Sequence, residues 1–111
     1  MASPEKEFTI ETEILEWLNC QKGVFAFKVE TGGYYDKKKG FFRKRKSKFN
    51  IKGTPDIIGI KSGKFFAIEC KSLKGQITSH QERFLNHVIL MGGKAAVCRS
   101  ISEANQFLST V

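Results

Sequence analysis

The chain is poor in the residues that would give it a covalent or metal-stapled skeleton. It has only three cysteines, Cys20, Cys70 and Cys98. Their number is odd, they are widely spaced, and no two form a C-x-x-C pair, which excludes a disulfide framework and a zinc knuckle. A reducing, cytoplasmic setting fits that usage. No apolar run approaches the roughly 20 residues a membrane span requires, and the N-terminus has no signal-type hydrophobic region. No internal repeat or separating linker is visible. The expectation is a single soluble domain over residues 1–111.

Acid is missing from one segment. The chain carries 19 basic and 11 acidic residues, a formal net charge of +8. Eight of the basic residues fall between positions 37 and 48: Lys37, Lys38, Lys39, Arg43, Lys44, Arg45, Lys46 and Lys48. That segment contains no acid, so the rest of the chain is balanced and the whole positive excess sits in one arm. Such an arm calls for a polyanionic partner, most commonly nucleic acid. Phe41, Phe42 and Phe49 are interleaved with the charges, a pattern able to grip phosphates and stack bases. The plainer readings are a flexible cationic loop or a localisation tag. A two-stranded flap with a basic tip fits the aromatics.

Hydrophobic residues make up 41% of the chain, including ten phenylalanines, enough to pack one core. Ser3-Pro4-Glu5 reads as a helix start, with the helix running to about Gln21 and Gly23 ending it. Its apolar stripe contains Ile10, Ile14, Trp17 and Leu18, and also Glu7 and Glu11. A carboxylate directed at a core needs a partner. At Glu7 the simpler account is a wet helix start that favours negative charge. Val24–Val29 reads as a first strand.

Two further apolar runs, Gly53-Thr54-Pro55-Asp56-Ile57-Ile58-Gly59-Ile60 and Phe65-Phe66-Ala67-Ile68-Glu69-Cys70-Lys71, flank the turn Lys61-Ser62-Gly63-Lys64. They read as a β-hairpin. With Ser62-Gly63 as a two-residue loop, Ile60 faces Phe65 and Asp56 faces Glu69. Facing carboxylates, with β-carbons about 4.5–5.5 Å apart, destabilise a sheet unless something offsets them. Lys71 shares their face because strand side chains alternate. Glu-x-Lys alone is equally the pattern of an exposed, salt-bridged edge. With Asp56 in register among apolar neighbours, it becomes a seat for a divalent metal and a nucleophilic water.

A second helix follows, capped by Thr78 or Ser79, with Ser79 and Glu82 making a capping box. It places Gln81 in its first turn and ends at Gly92-Gly93. His80 and His87 lie seven apart and read as surface or core-edge residues rather than metal ligands. Lys94–Arg99 reads as a short buried strand, and Ser102 as the cap of a last helix.

The ordered set Gly53-x-Pro55-Asp56, Glu69-x-Lys71 and Gln81, preceded by an acidic helix, resembles a standalone VRR-NUC domain of the PD-(D/E)XK nuclease superfamily. The resemblance implies a restriction-endonuclease-like α/β fold, a mixed four-stranded sheet flanked by helices in the order αβββαβα. It implies Mg²⁺ or Mn²⁺ held by Asp56, Glu69 and the Cys70 backbone carbonyl, with Glu7 a further ligand candidate. Lys71 would orient or activate the water, and Gln81 would stand beside the site. The family's helix glutamate maps best onto Glu7, with Glu11 as the alternative. Its members include structure-specific repair nucleases and small phage or bacterial proteins resembling Holliday-junction resolvases, which act as homodimers. The implied partner is therefore branched DNA, cut by a dimer in a bacterial or phage-infected cell. The basic stretch 36–50 is long for the family. Two other readings stay open: a nuclease on duplex or flap DNA, and a non-catalytic nucleic-acid-binding module.

Overall fold

A computed structural model of the chain describes residues 4–30, 34–43 and 51–111. Helix α1 spans Pro4–Asn19. It buries Ile14 and Leu18 completely, one turn apart on the stripe the sequence marks. It ends two residues before Gln21 because the last turn tightens: Cys20 and Gln21 N–H donate to carbonyls three residues back, on Trp17 and Leu18. Asn19 then reaches β1 (Val24–Lys28), where its side-chain amide donates to and accepts from the Ala26 backbone at 2.9 Å each way.

Strands β2 (Tyr34–Asp36) and β3 (Phe41–Arg43) form their own antiparallel ribbon, Asp36 paired with Phe41. Its exposed tip, residues 37–40, carries Lys37, Lys38 and Lys39. This is the two-stranded flap expected from the sequence. Lys44, Arg45, Lys46 and Lys48 lie outside the described residues, as does Ser3, the expected cap of α1.

The main sheet has four strands in the order β1-β4-β5-β6, with β4 at Ile57–Lys61, β5 at Lys64–Cys70 and β6 at Lys94–Cys98. The β1–β4 and β4–β5 pairs are antiparallel and β5–β6 is parallel, so the sheet is mixed. The β4–β5 register, Ile57 on Ile68 and Lys61 on Lys64, is the one a two-residue loop dictates. Ser62 and Gly63 both take positive φ, 48° and 85°, which matches a type I′ turn to the right-handed twist of its strands.

Alternation along β5 divides its side chains between two layers. Phe66, Ile68 and Cys70 join Ile57, Ile14, Leu18, Cys98 and the α3 residues Ala104 and Leu108 in the core. Gly59 faces Phe66 across the ladder, and the Phe66 ring occupies the space a side chain at Gly59 would fill. Phe65, Ala67 and Glu69 point to the opposite layer, where α2 (Ser79–Leu90) packs on β5 and β6. Helix α3 spans Ile101–Leu108. Its cap is Ser100, not Ser102: the Ser100 hydroxyl accepts from Glu103 N–H, because the chain leaves β6 directly into the helix. Lys61 Nζ donates to the Leu108 carbonyl at the far end of α3. Among the described residues no helix is long and apolar enough to cross a membrane.

Candidate active site

The hairpin register carries one step beyond β4 and sets Asp56 against the Glu69 end of β5. Asp56 is fixed there by its own backbone and side chain. Its carbonyl accepts from Val29 N–H at 2.8 Å, and its Oδ2 accepts from Cys70 N–H at 2.8 Å. Glu69 is only 3% exposed. Its Oε1 receives Gln81 Nε2 at 2.9 Å and lies 3.7 Å from Lys71 Nζ. Its Oε2 is buried without a hydrogen-bond partner, a costly state for a carboxylate oxygen. Burial pushes the Glu69 carboxyl up to about 8, and the Asp56 charge adds to the rise; Lys71 pulls the other way without offsetting them.

Gln81 owes its position to a capping box, though a different one from Ser79 with Glu82. The N-cap of α2 is Thr78, whose hydroxyl accepts from Gln81 N–H while Gln81 Oε1 accepts from Thr78 N–H. With its oxygen held by the helix start, the amide presents its NH₂ group to Glu69.

Both glutamates of α1 reach this end of the sheet, each through its own neighbour. Glu7 approaches the loop after β5: a side-chain carbon at Gly75 would stand 2.9 Å from Glu7 Oε1 and 3.3 Å from Ser72 Oγ. Glu11 pairs with Lys28 at 3.4 Å. Its carboxyl is raised above the ordinary range by burial and then by Asp56, with Lys28 opposing. The two buried cysteines, Cys70 and Cys98, supply no thiolate. Burial drives the Cys70 thiol up, and Cys98 is pushed up to about 12.

One residue at the site gave no sign of itself in the sequence. Arg99, just past β6, donates from Nη1 to the carbonyls of Ser72 and Gly75 at 2.6 and 2.7 Å. It thereby pins the loop that follows Lys71. The Ser72 hydroxyl, 4% exposed, has no partner. Replacing Arg99 by Ala strands two carbonyls and should cost about 2–3 kcal/mol of stability. Thermal unfolding checks this, and any cleavage activity should lose kcat more than it gains in KM because Lys71 loses its support.

Among the described residues no three His, Cys, Asp or Glu side chains converge closely enough to cage an ion. Two facing carboxylates, one with an orphaned buried oxygen, nevertheless suit Mg²⁺ or Mn²⁺, which bind through one or two carboxylates and complete their shell with water and phosphate oxygens.

The family model of the VRR-NUC domain matches residues 6–102. The chain belongs to the VRR-NUC family. It is accordingly a nuclease-type domain. A solved VRR_NUC domain is similar over 94% of this chain and 95% of its own, with a TM-score of 0.64 at 19% identity, which shows the shared fold. No curated protein matches. The αβββαβα order of the family holds for the main sheet and helices of this VRR-NUC domain, with the β2–β3 ribbon set between its first two sheet strands.

Proposed function

We propose that this VRR-NUC domain is a divalent-metal-dependent endonuclease that hydrolyses phosphodiester bonds in branched DNA. The observation that carries the reading is Glu69: an almost fully buried carboxylate with one oxygen held by Gln81 and the other unpartnered, facing Asp56. A bound Mg²⁺ or Mn²⁺ would supply an acidified water and neutralise charge at the scissile phosphate. Asp56, Glu69 and the Cys70 carbonyl would hold it, and Glu7 or Glu11 of α1 is the further ligand candidate. Gln81 keeps Glu69 oriented. The Lys71 ammonium, 3.7 Å from Glu69, would steady the attacking water and the charge that develops on the phosphate.

The β2–β3 flap extends the same logic to binding. Lys37, Lys38 and Lys39 at its exposed tip are phosphate contacts, and the remaining basic residues of the arm continue them. Replacing those three lysines with Ala should reduce the slope of log affinity against log salt by up to about 2.7, three phosphates at roughly 0.9 each. Fluorescence anisotropy with labelled DNA at several salt concentrations measures it.

One domain of this size carries one site, so cutting both strands of a junction calls for two copies related by a twofold axis. Labelled four-way junction, flap and linear duplex, each with Mg²⁺ or Mn²⁺, test the proposal. The junction should be cut fastest, and Glu69→Ala should cut nothing. Equal cutting by wild type and variant would overturn the site assignment, and faster cutting of flap or linear duplex would overturn the substrate.

A further inference from the structure

A groove of about 510 Å³ lies between α2 and the sheet, on the layer that holds Glu69. Its floor is Phe65, four residues before Glu69 on the same face of β5 and thus about 13 Å along the strand. One wall is a stripe of α2 at helical spacing: His80, Arg83, Phe84, His87 and Val88. The other is Ile51-Lys52, in the segment that leads through Gly53 to Asp56. The groove therefore begins at the two segments that build the catalytic site, since Gln81 adjoins His80 and Lys52 precedes Asp56 by four residues.

Its chemistry is divided. Most of the lining is apolar, from Ile51, Phe65, Phe84, Val88 and Met91, while Lys52, Arg83 and two imidazoles are exposed beside it, with no acid among the described lining residues. A purely hydrocarbon ligand would leave those polar side chains unused, and a plain anion would leave the rings unused. The volume lies in the range of small-ligand pockets, which combine apolar walls with a few placed polar groups. An unstacked nucleotide answers both parts, with a base for the rings and a phosphate for the cations.

We propose that this groove takes one unpaired nucleotide of the DNA substrate, its base against Phe84 and Phe65 and its phosphate on Arg83 and Lys52. The inference rests on the nuclease reading for the identity of the polymer, and it adds a source of structure selectivity. Extruding a base from an intact duplex costs a few kcal/mol, and least where the base is already unpaired. At a branch point a base pair lacks a continuous stacking neighbour on one side, so a base there is cheaper to extrude than one inside a duplex. The groove would then reward a strand that has an unpaired nucleotide beside the scissile phosphate.

The test separates this idea from the nuclease reading. Amide NMR of the full chain without divalent metal is followed while dAMP, deoxyadenosine or inorganic phosphate is added. The expected result is saturable shifts at Phe65, Phe84, Val88 and Arg83 with dAMP, and weaker binding of the nucleoside and of phosphate. Phe84→Leu and Arg83→Ala should each weaken dAMP binding at least about fivefold. In cleavage, a duplex with one unpaired nucleotide should be preferred to a perfect duplex, and Phe84→Leu should erase that preference. Shifts confined to residues 37–39, or groove shifts that follow protein concentration without nucleotide and so mark a second copy as the occupant, would overturn the proposal. Absence of cleavage alongside saturable dAMP binding in the groove would sink the nuclease reading and leave the binding site standing.

Discussion

Glu69→Gln should abolish metal-dependent cleavage and, without metal, make the protein more stable than wild type at pH 8. In the unfolded chain this carboxyl ionises near its ordinary value of 4.5, whereas in the fold it keeps its proton to about 8. Between those values the folded state binds one proton more than the unfolded state. The contribution of Glu69 to stability is therefore largest below pH 4.5. It falls as pH rises, by up to about 1.4 kcal/mol per pH unit, and levels off above pH 8. Glutamine has no proton to lose, so the difference in stability between wild type and variant should shrink or reverse across that window. Denaturant melts of both proteins at pH 5, 6, 7 and 8 in chelator give the difference directly. Mg²⁺ or Mn²⁺ should stabilise wild type more at pH 8 than at pH 6, because at the lower pH the ion must displace the proton, and it should leave Glu69→Gln nearly unmoved. Cleavage by the variant should fall by about a thousandfold or more, in line with the several kcal/mol that a metal contributes to charge stabilisation. A parallel pH course for the two proteins, together with metal stabilisation of both, would remove Glu69 from the proposed metal site.

The parts of this site that could be read from the sequence are those fixed by local rules. Alternation along β5 places Glu69 and Lys71 on one face, and the Ser62-Gly63 turn fixes the register that brings Asp56 to them. Both follow from backbone geometry within a stretch of 16 residues. The sequence offers both Thr78 and Ser79 as the cap of α2 and takes the capping box one residue late, because Thr78 with Gln81 and Ser79 with Glu82 satisfy the same motif in overlapping frames. The tie is broken by a tertiary contact, the Gln81 amide on Glu69, which no local pattern contains. Ser102 reads as the cap of α3 in the sequence because the exit of β6, which puts Ser100 at the helix start, is set by parallel pairing with β5. Arg99 was invisible because its acceptors are backbone carbonyls 24 and 27 residues away, and a carbonyl has no residue identity to recognise. The groove depends on how much of the sheet α2 covers. It packs on β5 and β6 and leaves Phe25, Phe27 and Ile60 exposed on the β1–β4 half. Periodicity marks α2 as amphipathic without saying where on the sheet its apolar side will end.

Gly53→Ala should be among the most destabilising single-methyl additions at the described glycines. Gly53 has φ +80°, a conformation that costs an L-residue about 1–2 kcal/mol. A β-carbon there would also stand 2.3 Å from the His80 carbonyl carbon, 2.4 Å from its oxygen and 2.6 Å from Gln81 N. These atoms belong to the backbone of the first turn of α2 and cannot swing aside as a side-chain tip would. Relief requires the 51–54 segment and the helix start to separate, an overpacking cost of roughly 1–3 kcal/mol. The two penalties together come to about 2–5 kcal/mol, a large share of the stability of a small domain. Calorimetry should show Tm lowered by roughly 10–20 °C. The displacement also falls on the site, because the turn that recedes from Gly53 is the one that delivers Gln81 to Glu69. At temperatures where the variant is still folded, it should therefore bind DNA through the basic arm with a salt dependence like that of wild type, yet cleave far more slowly. Gly63→Ala is the control: its φ of +85° carries a similar backbone penalty, but no atom lies within 4 Å of the added carbon. Its loss should stay near 1–2 kcal/mol, with cleavage unchanged. Equal losses in the two variants would show that backbone conformation alone explains Gly53 and that its contact with α2 is slack. A deeper loss at Gly53, with cleavage failing before the fold does, would identify the glycine of the Gly-x-Pro-Asp run as the residue that lets the chain carrying Asp56 pass against the helix that orients Glu69.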